Sequence, residues 1–349
     1  MLDRWTDISG KLREQQVEAS APCRVDCGGS TDHRLTGLLC RAASPATATI
    51  ALDLRTVVRL EPHDPGRLAV EAGGLGVEDA SLDELPLDGV LGLGFAVLAS
   101  MGVRGVKAVI EAPVPVRSGL GTSGAVTVAM LGALQAVLQE NRDPEDVVRF
   151  AHHIEDSLYA NTGLQDQASA MYGGAALYQW RYDGTLAFTR EPLVDDGATL
   201  ARHMVVAHTG TPHASTHSGT LVIEAVKHTG RLAPLIEMSE HARAFADAVR
   251  SSAFAEAAEA MNREASVRAA FLREFSTQED EELARLGRDA GCGVRVAGRG
   301  SGGAVWAMGP EDGITFLRDA WRNVFAERGA GRVLATAPTM DGLRVSSAG

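Results

Sequence analysis

Residues 115–125 read PVRSGLGTSGA and connect a predicted strand at residues 106–112 to a predicted helix at residues 122–140. Two prolines end the strand, and the loop itself covers residues 116–121. The start of a helix carries free N–H groups and a partial positive charge, and glycines let the backbone approach a phosphate closely. The stretch therefore predicts a phosphate-binding loop at the N-terminus of a helix.

Other loop types fit residues 115–125 less well. A plain glycine-rich loop that binds no phosphate remains an alternative interpretation, because Thr122 and Ser123 can either cap the helix or direct a hydroxyl at a metal ion. The classical P-loop needs Lys and then Ser or Thr after its last glycine, where this chain has Ala125 and Val126. The hydrolase elbow Gly-x-Ser-x-Gly also fails at Ala125.

The composition is that of an ordinary globular protein and argues against nucleic-acid and membrane partners. The 349 residues are enough for two domains, with 45% hydrophobic and 22% charged residues. The net charge is -12 and no Lys/Arg cluster stands out, so a nucleic-acid partner is not expected. An acidic enzyme that binds anionic ATP must build a local positive site from backbone N–H groups, arginines and Mg²⁺.

Location and redox state follow from the termini and the cysteines. No apolar run reaches the length of a membrane span, and residues 1–20 lack the apolar stretch of a signal peptide, which predicts a cytoplasmic protein. The four cysteines have spacings that match no zinc finger or ribbon, which favours reduced thiols: Cys23, Cys27, Cys40 and Cys292.

The order of predicted elements gives an α+β fold class in two domains, residues 1–195 and 196–349, with the boundary at the Asp-Asp-Gly of residues 195–197. Residues 1–19 are predicted as a polar, partly helical lead-in. Strands are predicted at residues 47–60, 106–112, 175–180, 185–189, 204–207, 293–297, 304–308 and 332–335. Helices are predicted at residues 91–101, 122–140, 144–158, 218–228, 233–262, 278–290 and 312–328.

Two acidic residues follow the phosphate loop. Glu155 lies near the end of the helix that Asp143 and Pro144 open, at the edge of its buried stripe. Asp166 lies eleven residues further on, among small and apolar residues. A kinase needs one carboxylate for Mg²⁺ and another group near the acceptor hydroxyl, and these two are the candidates. Glu155 taken singly is more typical of a solvated helix face than of a metal ligand.

Two further glycine-rich segments lie near the ends of the chain. Residues 21–33 read APCRVDCGGSTDH, in which Arg24 is a cation for a phosphate or a catalytic carboxylate, and Asp32 suits two sugar hydroxyls. Residues 294–308 form a strand, a glycine turn at 298–303 and a second strand. A dinucleotide fingerprint would need a helix after the glycines, so this turn instead indicates close approach of backbone or ligand.

Taken in order, these segments resemble the GHMP kinases (galactokinase, homoserine, mevalonate and phosphomevalonate kinases). The resemblance spans residues 21–308 and is greatest to the bacterial D-glycero-D-manno-heptose 7-phosphate kinase group. Residues 21–32 are similar to Ala-Pro-x-Arg…Gly-Gly-x-Thr-Asp, and residues 111–125 to the Gly-Leu-Gly-Ser-Ser loop. Residues 153–174 are similar to the Tyr-Gln-Asp-Gln…Gly-Gly region. Residues 205–215 and 294–308 resemble the later segments of the family.

The resemblance implies a two-domain kinase with ATP and Mg²⁺ in the cleft between the domains. It makes Asp166 the catalytic base or orienting carboxylate, with Arg24 beside it, and Ser123 and Glu155 the Mg²⁺ ligands. The ATP phosphates would be held by Gly119, Leu120, Gly121, Thr122, Ser123 and Gly124. The substrate would be bound by Gly29, Asp32, Gln165 and Gly300.

Departures from the family pattern bear on the substrate. Galactokinases have Glu-His where this chain has Gly29 and Ser30, which argues against galactose. Thr122 replaces the first Ser of the loop, and Gly124 follows Ser123. The C-terminal turn contains Arg299 and Ser301 in place of small residues. Arg299 is a candidate for binding a second phosphate, as are two other arginines, Arg34 and Arg117.

The leading hypothesis is phosphorylation of the anomeric hydroxyl of a heptose-like sugar or sugar phosphate. One alternative is a catalytically silent sensor that binds sugar and ATP, although Asp166, Glu155 and Ser123 together favour an enzyme. Another is a kinase for fucose or mevalonate, or an isoprenoid-pathway decarboxylase. The sequence leaves the sugar, the hydroxyl and the oligomeric state open, including a homodimer.

Overall fold

The structure, a computed structural model, describes residues 5–28, 34–115, 118–159, 163–182, 186–211, 218–272, 277–298 and 303–348. The strands are β1 Thr6–Asp7, β2 Gln16–Cys27, β3 Ala46–Pro62, β4 Arg67–Ala72, β5 Gly76–Ser81, β6 Val103–Arg104, β7 Val106–Glu111, β8 Ala175–Tyr182, β9 Leu186–Pro192, β10 Met204–His208, β11 Gly293–Val296, β12 Ala304–Met308, β13 Arg332–Val333 and β14 Arg344–Ala348. The helices are α1 Ser9–Glu14, α2 Arg34–Leu39, α3 Gly92–Ser100, α4 Thr122–Leu138, α5 Pro144–Tyr159, α6 Gln165–Tyr172, α7 Ala198–Arg202, α8 Ser218–Thr229, α9 Ala233–Arg250, α10 Phe254–Phe271, α11 Gln278–Asp289 and α12 Glu311–Arg328.

An eight-stranded sheet is built mainly from the first half of the chain, and the last strand of the chain, β14, joins its edge. The strand order is β14-β2-β3-β7-β4-β5, with β8 and β9 branching from β3. The branch is possible because β3 is 17 residues long. Its residues 46–50 pair with β8 and its residues 57–62 pair with β7. The pairs are antiparallel except β4 with β7, which is parallel.

Helix α4 covers this sheet and carries the predicted phosphate loop at its N-terminus. Its residues are apolar on nearly every side, as expected of a helix buried within a domain. It packs between the sheet and the helices α3 and α5. The core around it includes Phe95, Val128, Leu131, Leu134, Val147 and Ile154.

A four-stranded antiparallel sheet, in the order β11-β12-β10-β13, forms the second half. Its central strands have apolar residues on both faces, which is typical of a sheet covered on both sides. Met204 and Trp306 face α9, α10 and the first sheet, while Val205 and Val305 face α11 and α12. The sheet is therefore sandwiched between helices and the first half of the chain.

The two halves share one hydrophobic cluster, and the chain returns to the first half at its end. Val25 and Ile50 of the first sheet belong to the same buried cluster as Phe245 and Trp306 of the second half. After β13 the chain bridges from Pro338 to Leu52, and β14 pairs antiparallel with β2. We keep the division at residue 195 as a proposal, with the segment after β13 contributing to the first sheet.

The α+β class is confirmed, and most predicted elements are found close to their expected bounds. Asp143 caps α5 as predicted, since its Oδ1 accepts a hydrogen bond from the N–H of Glu145 at 2.9 Å. No helix in the described part of the chain is both long enough and apolar enough to cross a membrane.

Three predictions of local structure are wrong. The single helix at residues 233–262 is two antiparallel helices, α9 and α10, because the chain turns at Ser252, whose φ is +58°. The polar lead-in at residues 1–19 ends early, because β2 begins at Gln16. The strand at residues 332–335 is not the last one, since β14 follows it.

Candidate active site

Arg24 and Asp166 form an ion pair in the candidate site. Arg24 projects from β2, and Asp166 lies in the first turn of α6. Both Nε and Nη2 of Arg24 donate to Oδ1 of Asp166, at 2.8 and 2.5 Å. The Arg24 side chain is 4% exposed and that of Asp166 is 19% exposed, so a buried cation holds a carboxylate that still reaches solvent.

The charge of Arg24 is secured by its surroundings. Burial alone would lower the pKa of Arg24, but the carboxylates of Asp166 and Asp26 outweigh it and raise that pKa above its usual range. Arg24 is therefore a permanent cation beside Asp166. A fixed positive charge at this distance orients the neighbouring carboxylate through charge-assisted hydrogen bonds.

The predicted phosphate loop wraps around Arg24. Nη1 of Arg24 donates to the carbonyl of Gly119 at 2.6 Å, and the backbone N–H of Arg24 donates to the carbonyl of Leu120 at 2.8 Å. Gly121 is the N-cap of α4, with φ of +73°, and a Cβ there would lie 3.2 Å from Cγ of Arg24. Leu120 itself is fully buried, so only its backbone takes part. The loop and the arginine are thus built around each other.

Ser123, Glu155 and Gln167 form the second polar group of the site. Ser123 Oγ donates to Oε1 of Glu155 at 2.7 Å, and Gln167 Nε2 donates to Oε2 at 2.5 Å. Helices α4, α5 and α6 each supply one of the three. Mg²⁺ is usually bound by one or two protein oxygens together with waters and substrate phosphates. The Ser123 hydroxyl and the Glu155 carboxylate provide such oxygens at a helix N-terminus, so they fit the metal that the sequence predicts.

Gly124 brings the two polar groups together. A Cβ at this position would lie 2.7 Å from Cβ of Asp166 and 3.1 Å from the backbone nitrogen of Gln167. Only glycine therefore lets the first turn of α4 contact the first turn of α6. The sequence showed Gly124 as a departure from the family pattern, and the structure gives it a steric reason. We call Arg24, Asp166, Ser123, Glu155 and Gln167 the cleft cluster.

The C-terminal glycine turn reaches the phosphate loop from the other half of the chain. A Cβ on Gly298 would lie 2.8 Å from the carbonyl oxygen of Gly119, and a Cβ on Gly119 would lie 2.8 Å from that of Ala297. The N–H of Gly298 donates to Oδ1 of Asp26 at 2.7 Å. The two glycine segments, far apart in sequence, thus contact each other directly.

Four buried ionic residues lie behind Arg24. Nη1 of Arg295 is 3.0 Å from Oδ2 of Asp26, and Nε of Arg295 donates to Oε2 of Glu264 at 2.8 Å. Arg268 pairs with Oε1 of Glu264. All four side chains are fully buried. We call Asp26, Glu264, Arg268 and Arg295 the buried ion cluster.

This cluster was not predicted from the sequence. One indication was available in Arg295, a cation between Val294 and Val296 in a strand that is otherwise apolar. Such a residue needs a buried anion as its partner. The partners themselves are 31 and 269 residues away in sequence, where no local pattern connects them.

The remaining predicted residues are placed unevenly. Gln165 opens α6 and is buried. Gly29, Asp32, Gly300, Arg117 and Arg299 lie outside the described residues, as does the side chain of Arg34. Gly28 is the last described residue before Gly29, and a Cβ there would lie 2.7 Å from Cβ of Ala242. The substrate-binding assignments thus stay predictions.

Comparisons with known proteins bear on the class of protein. Residues 91–174, which contain the phosphate loop, Glu155 and Asp166, match the family model of the GHMP kinases N-terminal domain. Mevalonate kinase from Thermococcus sibiricus is 26% identical to the chain over 324 residues, covering 85% of this chain and 90% of that protein. Mevalonate kinase from Pyrococcus abyssi is 27% identical over 319 residues, covering 84% and 89%.

Two solved structures share the whole fold. Galactokinase from Lactococcus lactis, in complex with galactose, superposes with a TM-score of 0.75 at 17% identity, covering 97% of this chain and 96% of that one. A D-glycero-D-manno-heptose 1-phosphate kinase from Bacteroides thetaiotaomicron superposes with a TM-score of 0.72 at 19% identity, covering 95% and 98%. The chain therefore has the GHMP kinase fold.

The matched segment of residues 91–174 and the shared fold both resemble GHMP kinases, the family that the motifs resemble. Within that family, galactokinase, mevalonate kinase and heptose phosphate kinase all resemble the chain, so the heptose group is not singled out.

Proposed function

We propose that this chain is a kinase that transfers the γ-phosphoryl group of ATP to a hydroxyl of a sugar or sugar phosphate. The observation that carries the proposal is the ion pair between Arg24 and Asp166 beside the N-terminus of α4. Both donors of Arg24 bond the same oxygen, Oδ1. Among the described residues, Oδ2 of Asp166 has no partner, so it is available to an acceptor hydroxyl.

The proposed reaction uses the cleft cluster as follows. The N–H groups of residues 119–124 bind the phosphates, since a helix N-terminus attracts anions. Ser123 and Glu155 would hold Mg²⁺, which when bound offsets charge on the phosphate oxygens. Asp166 accepts a hydrogen bond from the acceptor hydroxyl, directs its oxygen at the γ-phosphorus and takes its proton. The oxygen of the acceptor hydroxyl forms a bond to the γ-phosphorus. The bond between the γ-phosphorus and the oxygen that bridges it to the β-phosphate breaks, and ADP leaves.

The finer proposal for the acceptor is the anomeric hydroxyl of a heptose-like sugar, free or phosphorylated. The Gly-Gly-x-Thr-Asp and Gln-Asp-Gln segments support it, as does the fold likeness to a heptose 1-phosphate kinase. A mevalonate-like acceptor is the second candidate, because two mevalonate kinases are 26% and 27% identical to the chain and cover 84–85% of it.

The test is ADP release with Mg-ATP across a panel of acceptors: heptose 7-phosphate, free heptoses, fucose, galactose and mevalonate. We expect turnover on a sugar, and a loss of about 10²- to 10⁴-fold in kcat for Asp166→Asn, as for removal of a general base. Asp88→Asn, at an exposed aspartate, is the matched control and should keep full activity.

The outcomes separate the candidates. Turnover on mevalonate alone would replace the sugar proposal with the second candidate. ATP binding without turnover on any acceptor would contradict the kinase proposal and favour a sensor. Turnover that survives Asp166→Asn would remove Asp166 from the chemistry.

A further inference from the structure

Asp26 closes a ring of contacts around the catalytic arginine. Its Oδ1 lies 3.5 Å from Nη1 of Arg24 and accepts the N–H of Gly298 at 2.7 Å. Nη1 of Arg24 also donates to the carbonyl of Gly119, against which Gly298 packs. A single carboxylate oxygen thus contacts the guanidinium that holds Asp166 and the turn that contacts the phosphate loop.

The charges around Asp26 are balanced one for one. Arg24, Arg295 and Arg268 face Asp166, Asp26 and Glu264, along a continuous line of ion pairs from the cleft to α10. Asp26 stands between two of the arginines and is fully buried. A neutral residue there would leave the line with three cations and two anions, which is costly in a region of low dielectric constant.

Asp26 also competes with Asp166 for Arg24. Arg24 divides its donors between them, with Nε and Nη2 on Asp166 and Nη1 directed at Gly119 and Asp26. The second anion fixes the guanidinium plane, so that only one oxygen of Asp166 is engaged. Burial alone would raise the pKa of Asp26, but Arg295, Arg24 and the N–H of Gly298 outweigh it and lower that pKa, which keeps Asp26 anionic.

We propose that Asp26 is a positioning residue, which holds Arg24 and the glycine turn where the phosphate loop and Asp166 are aligned for phosphoryl transfer. Its side chain is fully buried, so it would act through Arg24 and Gly298. The proposal rests on the proposed kinase function. A misplacement of about 1 Å at reacting groups can cost about 100-fold in rate.

The experiment compares Asp26→Asn with the double variant Asp26→Asn/Arg295→Gln. The single variant keeps the shape and leaves an uncompensated buried cation, so it should lose both stability and kcat. The double variant removes one charge of each sign, so it should regain most of the stability. We expect its kcat to stay about 10- to 100-fold below that of the unaltered protein, with unchanged KM for ATP and for the acceptor.

A control and an acceptor-free readout complete the design. Asp289→Asn, which breaks an exposed pair with Arg285, should change neither stability nor kcat. Hydrogen exchange of residues 118–124 needs no acceptor, and we expect it to be faster in both Asp26 variants. A kcat that returns with stability in the double variant, or exchange unchanged in both, would overturn the proposal. Absence of turnover in the unaltered protein would count against the kinase proposal, while the exchange result would still decide the role of Asp26.

Discussion

The cleft cluster and the buried ion cluster both contain paired arginines and carboxylates, but only the cleft cluster has a carboxylate that reaches solvent. In the cleft cluster, Asp166 is 19% exposed and keeps one carboxylate oxygen free of described partners. In the buried ion cluster, Glu264, Arg268 and Arg295 are fully buried and paired with one another. A group that meets substrate must stay accessible, whereas a group without access to solvent can act only through its neighbours. The first cluster is therefore suited to chemistry and the second to holding that chemistry in place.

The largest effect that sharpens this comparison is expected on stability. Glu264→Gln removes the anion between Arg268 and Arg295 and should lower the free energy of unfolding by about 3–5 kcal/mol, as for one partner of a buried pair. Glu259→Gln, on the same helix, breaks an exposed pair with Arg263 and should cost less than about 1 kcal/mol. Urea unfolding of both variants measures the difference, and equal losses would mean that the two pairs are equivalent.

A smaller effect, on activity, is expected where the cleft cluster is assembled. Gly124→Ala places a methyl group 2.7 Å from Cβ of Asp166, so α4 and α6 must separate. We expect kcat to fall about 10- to 100-fold. Gly10→Ala is the control, since a Cβ at Gly10 in α1 has no atom within 4 Å and alanine favours a helix by up to about 1 kcal/mol. Full activity of the Gly124 variant, measured by ADP release, would show that the contact has no catalytic role.

The smallest effect concerns acid stability. Burial alone would raise the pKa of Glu264, but Arg268 and Arg295 lower it below its usual range, and Asp26 is lowered in the same way. The unfolded chain therefore binds protons more readily than the folded chain. This stabilisation is present above the pKa values of the unfolded chain, about 4.3 for Glu and about 3.9 for Asp, and is lost as the pH falls below them. Urea unfolding between about pH 7 and pH 3 should show a steeper acid loss for the unaltered protein than for Glu264→Gln. Parallel curves would contradict the charge assignment.

Local features of the fold were predictable because they depend on neighbours in sequence. Prolines and glycines at 113–121 ended one strand and began α4 where expected. Asp143 and Pro144 fixed the start of α5. The turn at Ser252 was missed, because the residues on both sides of it favour a helix and only the packing of α9 against α10 requires a break. Strand β14 was missed because its residues are exposed and carry no alternation of apolar residues.

The residues of the candidate site also divide into those that were predictable from the sequence and those that were not. Residues 115–125, Glu155 and Asp166 were found from the sequence, since each lies in a segment whose composition differs from its surroundings. The contact of Arg24 with Asp166, 142 residues away, was given by the family resemblance and not by any spacing. The partnership of Asp26 with residues of the second half had no counterpart in the sequence analysis.

The amino-acid sequence by itself determined the mixture of strands and helices, the glycine-rich loop at the start of α4 and the acidic residues that follow it. These depend on hydrophobic periodicity, on the restricted backbone of proline and on the freedom of glycine, which act within a few residues. Only the tertiary structure decided that Gly124 must admit Asp166, that Gly298 must meet Gly119, and that Asp26 stands between Arg24 and Arg295. Close packing and the pairing of buried charges join residues by distance in space, and that distance is set only when both halves of the chain have folded together.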